Sequence, residues 1–346
     1  MIMRIQLSIF LVLLSYVGLS QNNQLKEHDS IDFCSTIKDF AQGNNYHRYK
    51  YLKDYFNQLD SLDNLRIKTE AIDWFGVYRN VIVEKRGETD SVVYIVCHYD
   101  KIDGNILAVL NMLINGNLDI ITSNIYLSKG VYDNGTGVAM SIHLLSYVLN
   151  KDMHYTYRFL FTGLEEYGLR GARTHVSKVR KKDWAKSYYA INIDMIGKAG
   201  LNGITVTENV SDYNLVDIAQ VICNKSDYPL NKTKLPEGAL SDFYIFKGQH
   251  FFKDFGISIL GNLVGGLIPQ RSYFTRYKKG IPVINLTDDT KLSFPIIASM
   301  FSPVSFGEIH SFRDKITVVD NKNLNEYFYF LINFIEYIDR NKTIHN

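Results

Sequence analysis

Five short groups along this chain carry side chains that bind metals or move protons: His98-Tyr99-Asp100, Asp133-Asn134, Glu165-Glu166, Asp194 and His310. Carboxylates and imidazoles are the ligands of a hydrolytic zinc site, and an aspartate shared between two ions makes a two-metal site. Between residue 98 and residue 310 these groups can meet only if a fold gathers them. Most follow a segment that reads as a strand.

Each group alone has a plainer reading. Asp100 falls on the same side of an extended chain as His98, at the strand period of two. That spacing suits a carboxylate holding the far nitrogen of a ligating histidine, but it equally describes a surface His-x-Asp pair. Asp133 opens Asp133-Asn134-Gly135-Thr136-Gly137 ahead of an apolar helical run, where an N-capping aspartate in a glycine-rich turn is common. Adjacent glutamates are usually exposed, yet Glu165 and Glu166 come directly after the strand pattern Tyr157–Thr162 and Gly163. Asp194 ends the apolar run Tyr189–Ile193 and is either a ligand or a helix cap. His310 lies in a polar loop, where a lone histidine is more often structural.

The elements that must position these groups alternate. Residues 30–60 carry apolar and aromatic side chains at helical spacing. Val77–Glu84, Ser91–Cys97, Tyr155–Thr162, Tyr188–Ile193, Ile204–Val206 and Pro282–Leu286 read as strands. Gly135–Leu149, Asp212–Cys223 with Ser211 as N-cap, and Leu324–Ile338 read as helices, with a short helix expected after Glu166. The pattern predicts an α/β fold, doubly wound, with a mostly parallel central sheet flanked by helices. In such sheets the site lies at the carboxyl ends of the strands.

With 46% hydrophobic and 21% charged residues, 346 residues can bury a sizeable core without staples. A net charge of +2 provides no field for nucleic acid, and no nucleic-acid partner is expected. The basic run Lys178–Lys182 reads as a solvated helix end. At the N-terminus, Arg4 precedes an apolar stretch from Ile9 to Leu19 and then Ser20-Gln21-Asn22-Asn23. That is the layout of a secretory signal peptide, and the apolar stretch is too short for a comfortable membrane span. Export to the periplasm or the extracellular space follows, with no stable membrane anchor. Of the three cysteines, Cys97 reads as a small buried hydrophobe, Cys34 and Cys223 are open to pairing, and none has metal-site spacing.

The chain resembles the M28 family of zinc peptidases over roughly residues 75–340. The resemblance rests on Cys97-His98-Tyr99-Asp100, Tyr132–Gly137, Gly163–Arg173, Asn192–Gly197, Gly280-Ile281-Pro282-Val283, and Ile309-His310-Ser311 with Asp314 and Asp320 following. It implies two zinc ions, one on His98 and Asp194, the other on Glu166 and His310, with Asp133 bridging. It further implies that Asp100 stands behind His98, that Glu165 is the general base, and that the Asp133–Asn134 peptide bond is cis. Peptides would be the substrates, and hydrolysis of N-terminal residues the activity. The expected organisation is a signal peptide at 1–20, an N-terminal helical segment at 21–74 packed on the catalytic domain, and a zinc peptidase domain at 75–346. Two departures concern the substrate pocket. The stretch between His98 and Asp133 is long, with Asn105–Lys129 placed to overhang the site. The family's Ser-Asp-His-like motif before Gly-Ile-Pro is matched only by Ser241-Asp242-Phe243 or by Arg271-Ser272-Tyr273-Phe274. Glutaminyl-peptide cyclotransferases, which use one zinc, and carboxypeptidase-type M28 hydrolases are the alternatives. Glu166 runs straight into Tyr167-Gly168-Leu169-Arg170, leaving little room for a cyclase insertion.

Overall fold

The computed structural model describes residues 30–59, 62, 64–73, 75–101, 128–235, 241–248, 279–288 and 314–341. The strands are β1 (Leu65–Ala71), β2 (Arg79–Lys85), β3 (Val92–His98), β4 (Thr156–Thr162), β5 (Ser187–Ile193), β6 (Ile204–Thr207), β7 (Leu230–Thr233) and β8 (Val283–Leu286). The helices are α1 (Phe33–Phe40), α2 (Asn45–Asn57), α3 (Thr136–Leu149), α4 (Arg170–Lys178), α5 (Lys181–Trp184), α6 (Tyr213–Lys225), α7 (Phe243–Phe246) and α8 (Asn321–Arg340).

All eight strands form one sheet in the order β1-β2-β4-β3-β5-β8-β6-β7. The centre, β4-β3-β5-β8, is parallel throughout. Antiparallel pairs join it to the flanks, β2 to β4 on one side and β6 to β8 on the other. Because β3 is covered on both faces, its sequence is a continuous apolar run rather than an alternating one. Val93, Ile95 and Cys97 point into a layer built from α1, α2, α3, α6 and α8. Val92, Tyr94 and Val96 point into the opposite layer, with Ala172 and Val176 of α4, Trp184 of α5 and Phe243–Phe246 of α7. The expected α/β architecture is therefore present.

Local chemistry explains the helices that matter for the site. In α3, every residue from Thr136 to Val148 is buried, as befits a helix enclosed by sheet and neighbouring helices. α8 is amphipathic, presenting Leu324, Tyr327, Phe328, Leu331, Ile335 and Ile338 to the core. Its N-terminus is capped by the Asp320 carboxylate, which accepts from Lys322 N at 2.8 Å.

Several elements depart from the sequence reading. α6 is capped by Asp212, whose carboxylate accepts from Asn214 N, and not by Ser211. The Ser211 hydroxyl is occupied by Asn285 N of β8. The segment 21–74 contributes α1 and α2 but also the sheet strand β1, in which Leu65, Ile67 and Ala71 alternate with Arg66, Lys68 and Glu70. β7 and α7, at four residues each, are too short to carry a period. Cys34, Cys97 and Cys223 are all free thiols, so the Cys34–Cys223 pairing does not form. Among the described residues, no helix is long and apolar enough to cross a membrane. Residues 1–20, most of the 105–129 segment, Arg271–Phe274 and His310 lie outside the described residues.

Candidate metal centre

The parallel order β4-β3-β5 brings three carboxyl ends side by side. β3 ends in His98; β4 runs through Gly163 into Glu165 and Glu166; β5 delivers Asp194. Asp133 arrives from the turn at 131–135 that leads into α3, across a cis Asp133–Asn134 peptide bond. The His98 Nε2 atom lies 3.1 Å from Asp133 Oδ1 and 3.3 Å from Asp194 Oδ1. His98, Asp133 and Glu166 each offer a ligand atom, all within 4.8 Å of one another. Four of the five groups singled out in the sequence thus converge, and the fifth, His310, is outside the described residues.

Asn134 links two of these loops. Its Nδ2 donates to Ile193 O at 2.8 Å, while its Oδ1 accepts from Gly137 N and Met195 N. The side chain therefore ties the turn carrying Asp133 to the backbone on either side of Asp194. Gly137 makes room for it, since a Cβ there would stand 2.4 Å from Asn134 Oδ1 and 2.6 Å from Ile193 O.

Asp100 reaches further than the strand spacing implies. The His98 Nδ1 atom has the Asp100 backbone carbonyl at 3.1 Å, and the Asp100 carboxylate only at 3.8 Å. That carboxylate instead accepts the backbone N–H groups of Glu165 at 3.0 Å and Glu166 at 3.3 Å. Asp100 thus couples the His98 strand end to the Glu165-Glu166 turn. Leu164 and Met195, which flank Glu165 and Asp194, sit at φ +58° and +56°, a left-handed conformation costly for bulky side chains. The hydrogen bonds around Asp100 and Asn134 hold those loops there.

Two further carboxylates have clear places. Asp314 accepts from Val131 N at 3.1 Å, Tyr132 N at 2.7 Å and Ser128 Oγ at 2.9 Å, bracing the turn before Asp133. Asp242, fully buried at the start of α7, accepts from the Thr162 hydroxyl at the end of β4. Its other oxygen, Oδ1, is buried with no hydrogen-bond partner among the described residues. Ser241 beside it accepts from Asn192 Nδ2 at 3.0 Å. Of the two sequence matches to the Ser-Asp-His-like motif, Ser241-Asp242-Phe243 is the one seen next to the site. Phe243 fills the third place and packs in the core.

The electrostatics of the cluster are those of a site short of positive charge. Burial pushes the Asp100 carboxyl up to about 7 and the Asp242 carboxyl up to about 6. It also raises Glu165 well above the carboxylate range, with Glu166, Asp242 and Asp194 adding to the rise against the pull of His98. Burial alone would lower the His98 imidazole, but Glu165 and Asp194 outweigh it and hold it well above its ordinary value. Buried carboxylates this close together stay ionised beside a cation and otherwise take up protons. A ligating histidine must be neutral, so a bound metal would take the place of the proton on His98.

The donor set fits zinc. It consists of imidazole nitrogen and carboxylate oxygen, and Cys97 beside it points away to Ser141. Ligands about 2.1 Å from a tetrahedral ion are roughly 3.4 Å apart. The 3.1 and 3.3 Å separations around His98 Nε2 match that edge length.

Comparison with known proteins gives the family and the fold. The family model described as Peptidase family M28 matches residues 80–262, just over half of the chain. Among solved structures, the LapA aminopeptidase of Legionella pneumophila superposes with a TM-score of 0.62 at 15% identity, covering 94% of this chain and 74% of that one. A glutaminyl cyclase from an Acidobacteriales bacterium superposes with a TM-score of 0.56 at 17% identity, covering 92% and 99%. A zinc aminopeptidase from Bacillus subtilis shares 16% identity over 75% of this chain with a TM-score of 0.48, and this chain spans 49% of its length. Identities this low speak for the fold. No curated protein sequence matches the chain.

Proposed function

The chain belongs to peptidase family M28, and on that premise we propose that it is an exported aminopeptidase working with two zinc ions per chain. The observation that carries the proposal is the convergence of His98, Asp133 and Glu166 within 4.8 Å, with Asp194 against His98 and Glu165 next to Glu166. In this reading His98 and Asp194 would hold one ion, Glu166 and His310 the other, and Asp133 would be shared between them. Bound zinc supplies Lewis acidity toward the scissile carbonyl and lowers the pKa of the attacking water.

The remaining work falls to the chain itself. The Glu165 carboxylate accepts the water proton and returns it to the leaving amine. Asp100 fixes the backbone of Glu165 and Glu166 through their N–H groups, so base and ligand keep a constant separation. Asn134 does the same for Asp133 and Asp194. Export rests on residues 1–20 acting as a signal peptide, and residues 75–346 would form the catalytic domain with 21–74 packed against it. N-terminal sequencing of the secreted protein tests that processing.

A second reading, glutaminyl-peptide cyclotransfer with one zinc, is favoured by the glutaminyl cyclase that this chain covers to 99% of its length. Elemental analysis together with aminoacyl-nitroanilides separates the two. Two zinc ions and nitroaniline released from several residues support the aminopeptidase. A reproducible single zinc, with cyclised product from Gln-nitroanilide and nothing released elsewhere, supports the cyclase.

A further inference from the structure

Arg48 lies outside the segment matched by the peptidase family and far in sequence from every candidate ligand, yet its guanidinium is fully buried beside the metal loops. It projects from α2 over the Phe40 ring, with 4.9 Å from Cζ to the ring centre. Its Nη1 donates to Tyr99 O at 3.0 Å, between His98 and Asp100. Its Nη2 donates to Gly130 O at 3.0 Å and to Lys129 O, at the start of the turn that carries Asp133. A planar group with several fixed donors is suited to joining carbonyls from two separate loops.

The surroundings are built for this contact. Gly130 has φ +58°, and a Cβ on it would stand 2.5 Å from Arg48 Nη2. One helical turn earlier, Asn45 pairs with the backbone of Lys101 in both directions, at 2.9 and 3.0 Å. The buried Lys101 ammonium in turn donates to Ser128 O at 2.9 Å. From the other side Asp314 takes the N–H groups of Val131 and Tyr132. The turn before Asp133 is therefore held through its carbonyls by Arg48 and through its amides by Asp314. The His98 loop is held by the same arginine.

We propose that Arg48, on the N-terminal helix α2, is a positioning residue for the metal centre that sets the His98 loop against the Asp133 turn. This rests on the reading that His98 and Asp133 are metal ligands. The consequence is that the N-terminal helices, which carry no ligand of their own, control metal affinity.

The test uses the full-length mature protein in metal-free form, reloaded with zinc in a chelator-buffered titration and with cobalt(II) as a visible-absorption probe. Arg48→Met is expected to weaken metal binding by at least about tenfold, the low end for residues that orient ligands, and to alter the cobalt spectrum. Arg48→Lys, which keeps a donor, is expected to recover part of the loss. Leu52→Ala, which truncates a buried side chain on the same helix, is expected to lower the melting temperature of the metal-free protein while leaving affinity and spectrum unchanged. If Arg48→Met does not fold, Gly130→Ala perturbs the same contact and is expected to weaken binding in the same direction. Wild-type affinity and spectrum in folded Arg48→Met or Gly130→Ala would overturn the proposal, as would an equal loss in Leu52→Ala. A wild-type protein that takes up no zinc would instead overturn the metal-centre reading itself, and the Arg48 role with it.

Discussion

Glu165 and Asp133 sit in one small cluster yet have separable jobs. Glu165→Gln removes the base but leaves His98, Asp133, Asp194 and Glu166 in place. The expected outcome is retention of zinc with a loss of at least about a hundredfold in kcat, the low end for general acid–base catalysis. Asp133→Asn should lose metal as well as turnover, so zinc content measured beside kcat tells the two apart. Near-normal kcat in fully loaded Glu165→Gln would remove Glu165 from the role of base. Asn134 belongs to the same scale. It is fully buried and serves three backbone groups. Asn134→Ala should destabilise the metal-free protein by about 1–3 kcal/mol in denaturant unfolding, the cost of leaving buried polar groups unpaired. His98, Glu166 and Asp194 stood out in the sequence because few residue types bind zinc and each comes after a strand, whereas Asp133 stood in a glycine-rich turn ahead of α3. Asn134 was visible only as a neighbour of Asp133, because an asparagine in a glycine-rich turn has many ordinary uses. Strand periodicity put Asp100 on the same side as His98, and the family resemblance set it behind the ring; in the fold its carboxylate stands 3.8 Å from the imidazole and accepts the Glu165 and Glu166 amides. Periodicity gives the side of a strand, not the partner waiting there.

At the scale of elements, the N-terminal helix α1 is docked on α3 through His143. The imidazole is buried, with Nε2 3.0 Å from the Thr36 hydroxyl and the Phe33 ring edge-on at 4.8 Å. Burial pushes it down to about 4, only partly opposed by Asp32. In the unfolded chain a histidine titrates near 6.5. Between those values the unfolded state takes up a proton that the folded state refuses, so stability rises with pH across this window. This contribution is present above about pH 6.5 and fades as pH falls toward 4, by up to roughly 3 kcal/mol. In His143→Gln that slope should vanish, and the stability difference between wild type and variant should shrink on acidification. Parallel stability curves between pH 6.5 and 4 would show that His143 is not the responsible group. Strands β3, β4 and β5 were readable because each is a seven-residue, mostly apolar and largely buried run. β7 and α7 were not, being four-residue elements whose place is set by pairing and packing rather than by their own pattern; β1 does alternate, Leu65, Ile67 and Ala71 against Arg66, Lys68 and Glu70, but lies in a segment expected to be helical. The consequence for the site is direct, since α7 carries Asp242 to the end of β4.

For the whole molecule, the sheet order does most of the gathering. Parallel neighbours β4, β3 and β5 place His98, the Glu165-Glu166 pair and Asp194, far apart in sequence, on one edge. The alternation of strands and helices foretold that arrangement. The contribution of the N-terminal helices could not be foretold, because Arg48 meets carbonyl oxygens, and backbone acceptors leave no mark in a sequence. The central claim is that this edge removes single residues from free peptide N-termini. The most direct measurement is a mass spectrum of a leucine-initiated peptide and its N-acetylated twin after incubation with the zinc-loaded protein. The account predicts loss of the N-terminal residue from the free peptide only, and no change in either peptide with Glu165→Gln. Shortening of the acetylated peptide from its C-terminus would contradict it, as would both peptides remaining intact while a glutamine-initiated peptide loses ammonia.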